Sequence, residues 1–121
     1  MYPDALDGTR WALEYVTLRG VSHMVSGRRI PELAFLDGRV SGDDGVNLGE
    51  GTYSLRGNAL TVAIDTVTSL QYGSEPLVEY DLFEYLRGAR LATVHADFLH
   101  IAFGEGSDEL VYHSEVLETP A

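Results

Sequence analysis

The stretch GRVSGDDGVNLGEGTYSLRGNAL, residues 38–60, holds the densest set of side chains able to do chemistry. Six glycines are interleaved with Asp43, Asp44, Asn47 and Glu50. Hard oxygen donors in a glycine-bearing loop are what a calcium ion requires, and a glycine-rich backbone is what a phosphate requires. The phosphate reading fails on charge. GDDGVNLGEG contains no Lys or Arg, no helical pattern follows it, and two aspartates repel an anion. The EF-hand reading fails on spacing, because D-x-[DN]-x-[DN]-G and its helix pair are missing. An irregular calcium loop through Asp43, Asp44, Asn47 and Glu50 stays open. The remaining reading is structural. Asp and Asn bond their own backbone in turns and Gly supplies positive φ, so Gly42, Asp43, Asp44, Gly45 and Asn47 suit a connection between two strands.

Other chemistry is thinner. Zinc needs three or four converging ligands. The four histidines, His23, His95, His100 and His113, are dispersed, with Asp97 near His95 at a turn. No G-x-S-x-G elbow occurs; Ser41 precedes Gly42 without a strand-to-helix turn. Asp43-Asp44 and Glu79–Asp81 are the carboxylate pairs available to a hydrolase, and nothing defines a separation across a cleft. No catalytic residue, metal or cofactor is therefore assigned, and a non-enzymatic role is favoured. The aromatic content offers a different possibility. A small barrel either fills its interior or holds one small ligand. The pocket set is Trp11, Phe35 and Tyr53, with His100 and Tyr112.

Short runs rich in Val, Ile, Leu, Thr, Tyr and Phe, separated by glycine, position these residues. WALEYVTL (11–18) alternates, placing Trp11, Leu13, Tyr15 and Thr17 on one face. ELAFL (32–36) ends at Asp37-Gly38, a strong hairpin signal, and RVSG continues after it. GTYSL (51–55) and ALTVAI (59–64) flank a second hairpin at Arg56-Gly57-Asn58, and TVTSLQY (66–72) reads as a further strand. Val78, Leu82, Tyr85 and Leu86 share a helical face, so one helix is expected from about 75 to 87, with Ser74 as N-cap and Gly88 past its end. Strands resume at 90–94, 98–103 and 109–113. With a loop at 104–108, Phe103 pairs with Glu109, Ile101 with Val111 and Leu99 with His113. In that register His100 and His113 face opposite ways. Both faces of this hairpin carry apolar side chains, which asks for an outer cover: a helix packed outside the barrel, or a second copy in a homodimer.

The composition sets limits. The chain has 121 residues, enough for one domain with its own core. It has no cysteine, which excludes disulfides and thiolate chemistry. Its formal charge of −11, with arginine as the sole strong base, disfavours nucleic acid and acidic membrane surfaces. No apolar run spans a membrane and no signal peptide is visible, so a cytoplasmic location is expected.

The order of motifs resembles the META/HslJ domain family. The residues are Leu33-Ala34-Phe35, Asp37-Gly38-Arg39-Val40-Ser41-Gly42, Gly45-Val46-Asn47, Gly51-Thr52-Tyr53-Ser54-Leu55, Gly57 and Leu60. Upstream, Leu6, Gly8 and Trp11 resemble the opening L-x-G-x-x-W; downstream come Thr68, the helix residues Glu79, Leu82, Phe83 and Leu86, and DFLHIAF. The resemblance covers about 6–113 and suggests one such domain over 1–121. The family's G-C-N cysteine is Val46 here, and its second cysteine falls near Tyr72. Family members are often exported; a chain without those cysteines agrees with an unexported one. The resemblance implies a mainly β fold: a small lipocalin-like antiparallel meander barrel of about eight strands with one helix. It implies no established catalytic residues, and a loose association with stress response. Two functions follow. The favoured one is a non-enzymatic accessory or binding domain acting through a protein or small-ligand surface. The alternative is a lipocalin-like barrel that binds or converts a small hydrophobic molecule.

Overall fold

The computed structural model describes residues 5–25, 30–45, 47–69, 81–105 and 108–115. Among these residues, nine strands run in the order β1 (Thr9–Leu18), β2 (Val21–Met24), β3 (Glu32–Leu36), β4 (Arg39–Asp43), β5 (Asn47–Arg56), β6 (Ala59–Ser69), β7 (Ala89–His95), β8 (Phe98–Phe103) and β9 (Glu109–Ser114), with a short helix α1 (Leu82–Arg87) before β7. All pairings are antiparallel, and β9 returns to β1, which closes the sheet into an eight-stranded barrel. β2 stands outside the ring, paired with the end of β1. Hairpin chemistry explains the meander. Asp37 and Gly38 take φ of 50° and 78°, the twist that a two-residue turn between right-twisted strands needs.

The interior follows period 2. Gly49, Gly51 and Tyr53 of β5 face inward, as do Leu60, Val62 and Ile64 of β6 and Leu99, Ile101 and Phe103 of β8. Each large side chain taken fully out of water stabilises the fold by roughly 1.5–3 kcal/mol. α1 contributes to the same core. Its buried residues Leu82, Phe83 and Leu86 join the interior cluster, and Tyr85 stacks on Phe103 with ring centroids 4.5 Å apart. The expected outer position of the helix is thus corrected: its apolar face points into the barrel. The helix is described from Leu82; residues 75–80 and the expected N-cap Ser74 lie outside the described residues. Asp81 stands at the N-terminus without a side-chain cap, and the Gly88 N–H donates to the carbonyls of Glu84 and Tyr85 at the other end.

Bulges account for two further corrections. In β1 the register shifts between Leu13 and Tyr15, so Trp11, Leu13 and Val16 line the interior while Tyr15 turns outward opposite Val111. In the last hairpin the pairs are Leu99 with Tyr112, Ile101 with Leu110 and Phe98 with His113. That is one residue away from the expected register. Tyr112 and Leu110 move inside, while His100 and His113 share the outer face. A one-residue slip inverts every side chain, and burial of Leu99, Ile101 and Tyr112 decides the outcome. The segment expected as a separate strand at 66–72 is the end of β6, as far as Ser69; 70–72 lie outside the described residues. β2 carries no sequence signal because all four of its residues are exposed. Among the described residues, no helix is long and apolar enough to cross a membrane.

The bend in the wall rests on missing side chains. A Cβ on Gly51 would stand 1.7 Å from the Ala63 carbonyl oxygen, and one on Gly49 would stand 2.6 Å from the Phe83 ring. The register also shifts here, with Asp65 as the extra residue of β6. Gly51→Ala should therefore destabilise by about 3 kcal/mol or more, as backbone cannot yield the way a side chain does. Gly57→Ala, at an open turn with φ 60°, should lose only about 1 kcal/mol. Urea unfolding of both variants checks this; equal losses would show that Gly51 holds no close contact.

Candidate functional site

The outer wall carries a cleft of about 390 Å³. Its floor and sides come from alternate residues that face away from the core. Leu33 and Phe35 are buried, so Glu32 and Ala34 of β3 point outward. Strand pairing then sets Arg10, Ala34, Ser41, Glu50 and Thr66 in one row across β1, β3, β4, β5 and β6. A second row runs through Glu32, Asp43, Leu48 and Thr68. The floor is low because Ala34, Ser41 and Gly42 are small. Glu50, Leu48 and the threonines form one side; Arg10 and Glu32 form the other. β3 and β5 flank β4, so their backbones run about 10 Å apart.

The charge inside is acidic. Among the described residues, Glu32, Asp43 and Glu50 line the cleft together with Arg10, whose Nη2 lies 3.3 Å from Glu32 Oε1. Both partners are largely exposed, so this ion pair contributes little to stability. Asp43 is committed to backbone: the Gly45 N–H donates to its Oδ1 at 2.9 Å and the Glu32 N–H to its Oδ2 at 3.3 Å. Beside the cleft lies Glu115, whose N–H donates to the Arg10 carbonyl at 2.9 Å. Glu115 Oε1 is covered from solvent and has no hydrogen-bond partner among the described residues, although the side chain as a whole is only half-buried. Its carboxyl is held above the ordinary range, first by burial, then by the negative charge of Glu32 and a hydrogen bond with it; Arg10 and His113 pull the other way.

The glycine-rich connection is a compact turn. The Asn47 N–H donates to Asp44 Oδ1 at 2.6 Å, Asn47 Nδ2 donates to Asp44 Oδ2 at 3.3 Å, and the Asp44 N–H donates to the Asn47 carbonyl at 3.1 Å. Gly45 sits between them at φ 96°. Both Asp44 oxygens and both Asp43 oxygens accept hydrogen bonds within this stretch or from β3. Gly42 is the inward-facing step beside Gly49, where a Cβ would meet the Glu32 carbonyl oxygen at 2.6 Å. Among the described residues, no group of three or more His, Asp or Glu is arranged to hold a metal.

The aromatic set divides. Trp11, Phe35, Tyr53 and Tyr112 come together inside the barrel, between 1% and 8% exposed, with Phe35 and Tyr53 edge to face at 4.8 Å. The Trp11 indole N–H donates to Thr9 Oγ1 at 2.8 Å. Burial and the nearby Asp43 charge push the Tyr112 phenol far above its usual value, so it stays neutral. His100 is not with them. It lies on the outer wall, its Nδ1 3.0 Å from Glu109 Oε1, and His113 makes the same kind of contact with Glu14 at 3.2 Å. Arg10, Glu32, Leu48, Thr66 and Glu115 escaped the sequence reading. They are outward members of alternating strands, and a solvated face has the same pattern.

The sequence profile of the META domain family matches residues 4–115. No curated protein matches the chain. Among solved structures it is similar to a protein from Burkholderia xenovorans determined by NMR, with 17% identity, TM-score 0.70, and coverage of 95% of this chain and 92% of that one. A second NMR structure shares 21% identity at TM-score 0.62, covering 93% and 94%. A crystallographic DUF4847 family protein from Bacteroides vulgatus shares 11% identity at TM-score 0.62, covering 90% and 94%. At these identities the likeness to the solved structures is one of fold.

The Glu32–Glu115 contact predicts a pH effect. The folded state holds the Glu115 proton more tightly than the unfolded chain, whose carboxyl has the ordinary value of 4.5. The contribution to stability is complete below that pH and is lost as pH rises through the folded value. Glu115→Gln should then melt higher than the parent at pH 7.5, with the gap closing toward pH 4. A gap that is independent of pH in a calorimetric series would remove the carboxyl pair from the account.

Proposed function

The chain belongs to the META domain family, and from that premise we propose that it is one non-enzymatic binding domain over 1–121, working through its outer wall at the cleft between β1 and β6. One observation carries this reading. The interior that a lipocalin-like ligand would need is occupied by Trp11, Phe35, Tyr53, Phe83 and Tyr112, while the concave space lies on the opposite side of the same strands. A packed interior leaves a hydrophobic guest no volume without the loss of core contacts. A partly open cleft of about 390 Å³ with a few polar groups along its rim is within the range of ligand sites.

The formal charge of −11 sets the partner class. Polyanions are repelled, which turns the reading toward proteins or small molecules. The test is an NMR fragment screen on the isotope-labelled chain. Binders are expected to move the amides of Ala34, Ser41 and Thr66, and Ser41→Trp, at an exposed site, should abolish those shifts while leaving the melting temperature within a few degrees. Fragments that instead move interior methyls of Leu99 and Ile101 would return the function to the barrel lumen.

A further inference from the structure

We propose that the free edge of β2 takes an extended, acidic segment of a partner protein as an added strand, at a site separate from the outer-wall cleft. Arg19 and Gly20 take φ of 52° and 81°, which makes the β1–β2 connection a two-residue turn. The flanking residues Leu18 and Val21 then exchange hydrogen bonds, and bonded and non-bonded pairs alternate along the ladder. Val21, His23 and Val25 therefore turn their backbone toward β1, and the Val25 N–H donates to the Glu14 carbonyl at 3.4 Å. The N–H and C=O groups of Ser22 and Met24 point the other way. Among the described residues, no strand lies beside them. An incoming strand would find donors and acceptors in line there.

Side chains and charge name the occupant. Edge strands are blunted by charge, proline or a bulge, and VSHM carries no proline, no bulge and no Lys, Arg, Asp or Glu. Instead Met24, 67% exposed, stands beside Tyr15 on one face, and exposed Val21 stands on the other. A β-branched or aromatic side chain on the added strand would pack against either. All 19 acids of the chain lie outside 15–31, while Arg19, Arg28 and Arg29 lie within it. The acids near the end of β1 are already engaged. His113 lies 3.2 Å from Glu14, His100 lies 3.0 Å from Glu109, and Asp108 Oδ1 accepts the Arg19 N–H at 2.8 Å. An acidic guest thus meets a strand with arginine before it and after it in the chain. A second copy would not, because antiparallel self-pairing turns the Arg19 end of one copy to the Arg28-Arg29 end of the other. Four residues offer few main-chain bonds, so charge at the ends selects the partner.

The experiment selects a displayed library of random eight-residue peptides against the full chain and titrates the recovered peptides into isotope-labelled protein. They are expected to move the Ser22 and Met24 amides and to carry Asp or Glu about threefold above the library, the scale of one exposed charge contact. Ser22→Pro removes an edge donor without breaking a bond to β1, and should abolish those shifts while the β1 and β9 amides stay in place. The combined variant Arg19→Glu, Arg28→Glu and Arg29→Glu leaves β2 as it is and should weaken the same peptides about threefold or more. Full binding by Ser22→Pro overturns strand addition. Full binding by the arginine variant, or recovered peptides without excess acid, overturns the acidic partner. Shifts of Ser22 and Met24 that follow protein concentration alone would assign the edge to a second copy and overturn the proposal. If no recovered peptide moves these two amides, the inference falls; peptides that move Ala34 and Ser41 instead leave the cleft reading standing without it.

Discussion

The close approach of β5 to its neighbours is the constraint on which the rest depends. At Gly51 the Ala63 carbonyl occupies the place of a side chain, and at Gly49 the Phe83 ring does. Between them the β5–β6 register slips by one residue. A wall without side chains at those steps admits the helix from inside: Phe83 fills the space that a Leu or Val at position 49 would have taken. The same thin wall is the back of the outer cleft, which is lined by Gly42 and Gly49 backbone on one side of the sheet while Phe83 packs on the other. Core closure and surface concavity are therefore two consequences of one set of small residues.

That constraint also explains what residues 38–60 are for. Gly38 and Gly57 shape hairpin turns, Gly45 completes the Asp44–Asn47 turn, and Gly49 and Gly51 make room for backbone and ring. The aspartates of the connection direct their oxygens at backbone N–H groups of their own turn and of β3. A carboxylate that accepts two such bonds holds the chain in place, and position 43 thereby ties the β4–β5 turn to the start of β3.

Hairpin signals and glycine spacing made the barrel legible because turn chemistry is local. Asp37-Gly38 names its turn whatever the rest of the chain does. The bulges were not legible, since the extra residue at Glu14 or Asp65 is fixed by strands that pair from elsewhere in the sequence. Trp11 and Leu13 were read correctly as one face, and Tyr15 was not, because the shift falls between them. The β8–β9 register failed for a related reason. Both faces of that hairpin are apolar, so alternation alone could not choose between Tyr112 and Val111 for the interior. The structure buries both: Tyr112 within the core, Val111 under the outward Tyr15 and His100 that pair with it. The cleft residues were invisible in a different way. Arg10, Glu32 and Glu50 are ordinary outward polar positions in the sequence, and only the strand order β1-β3-β4-β5-β6 sets them around a common space.

The outside of a β-wall has a limited vocabulary of shape. Alternate residues project in rows across the strands, so a site there is a grid with a pitch of about 5 Å between strands and about 7 Å along them. The placement of small residues at 34, 41 and 42, with carboxylates at 32 and 50 two strands apart, divides this grid into a floor and two charged edges. Moving residue 32, 34, 41 or 50 by one position along its strand would turn it into the core and bring a buried partner to the surface. The outer pattern is thus held in register by the packing inside, and the interior aromatics fix the shape of a cleft they do not touch.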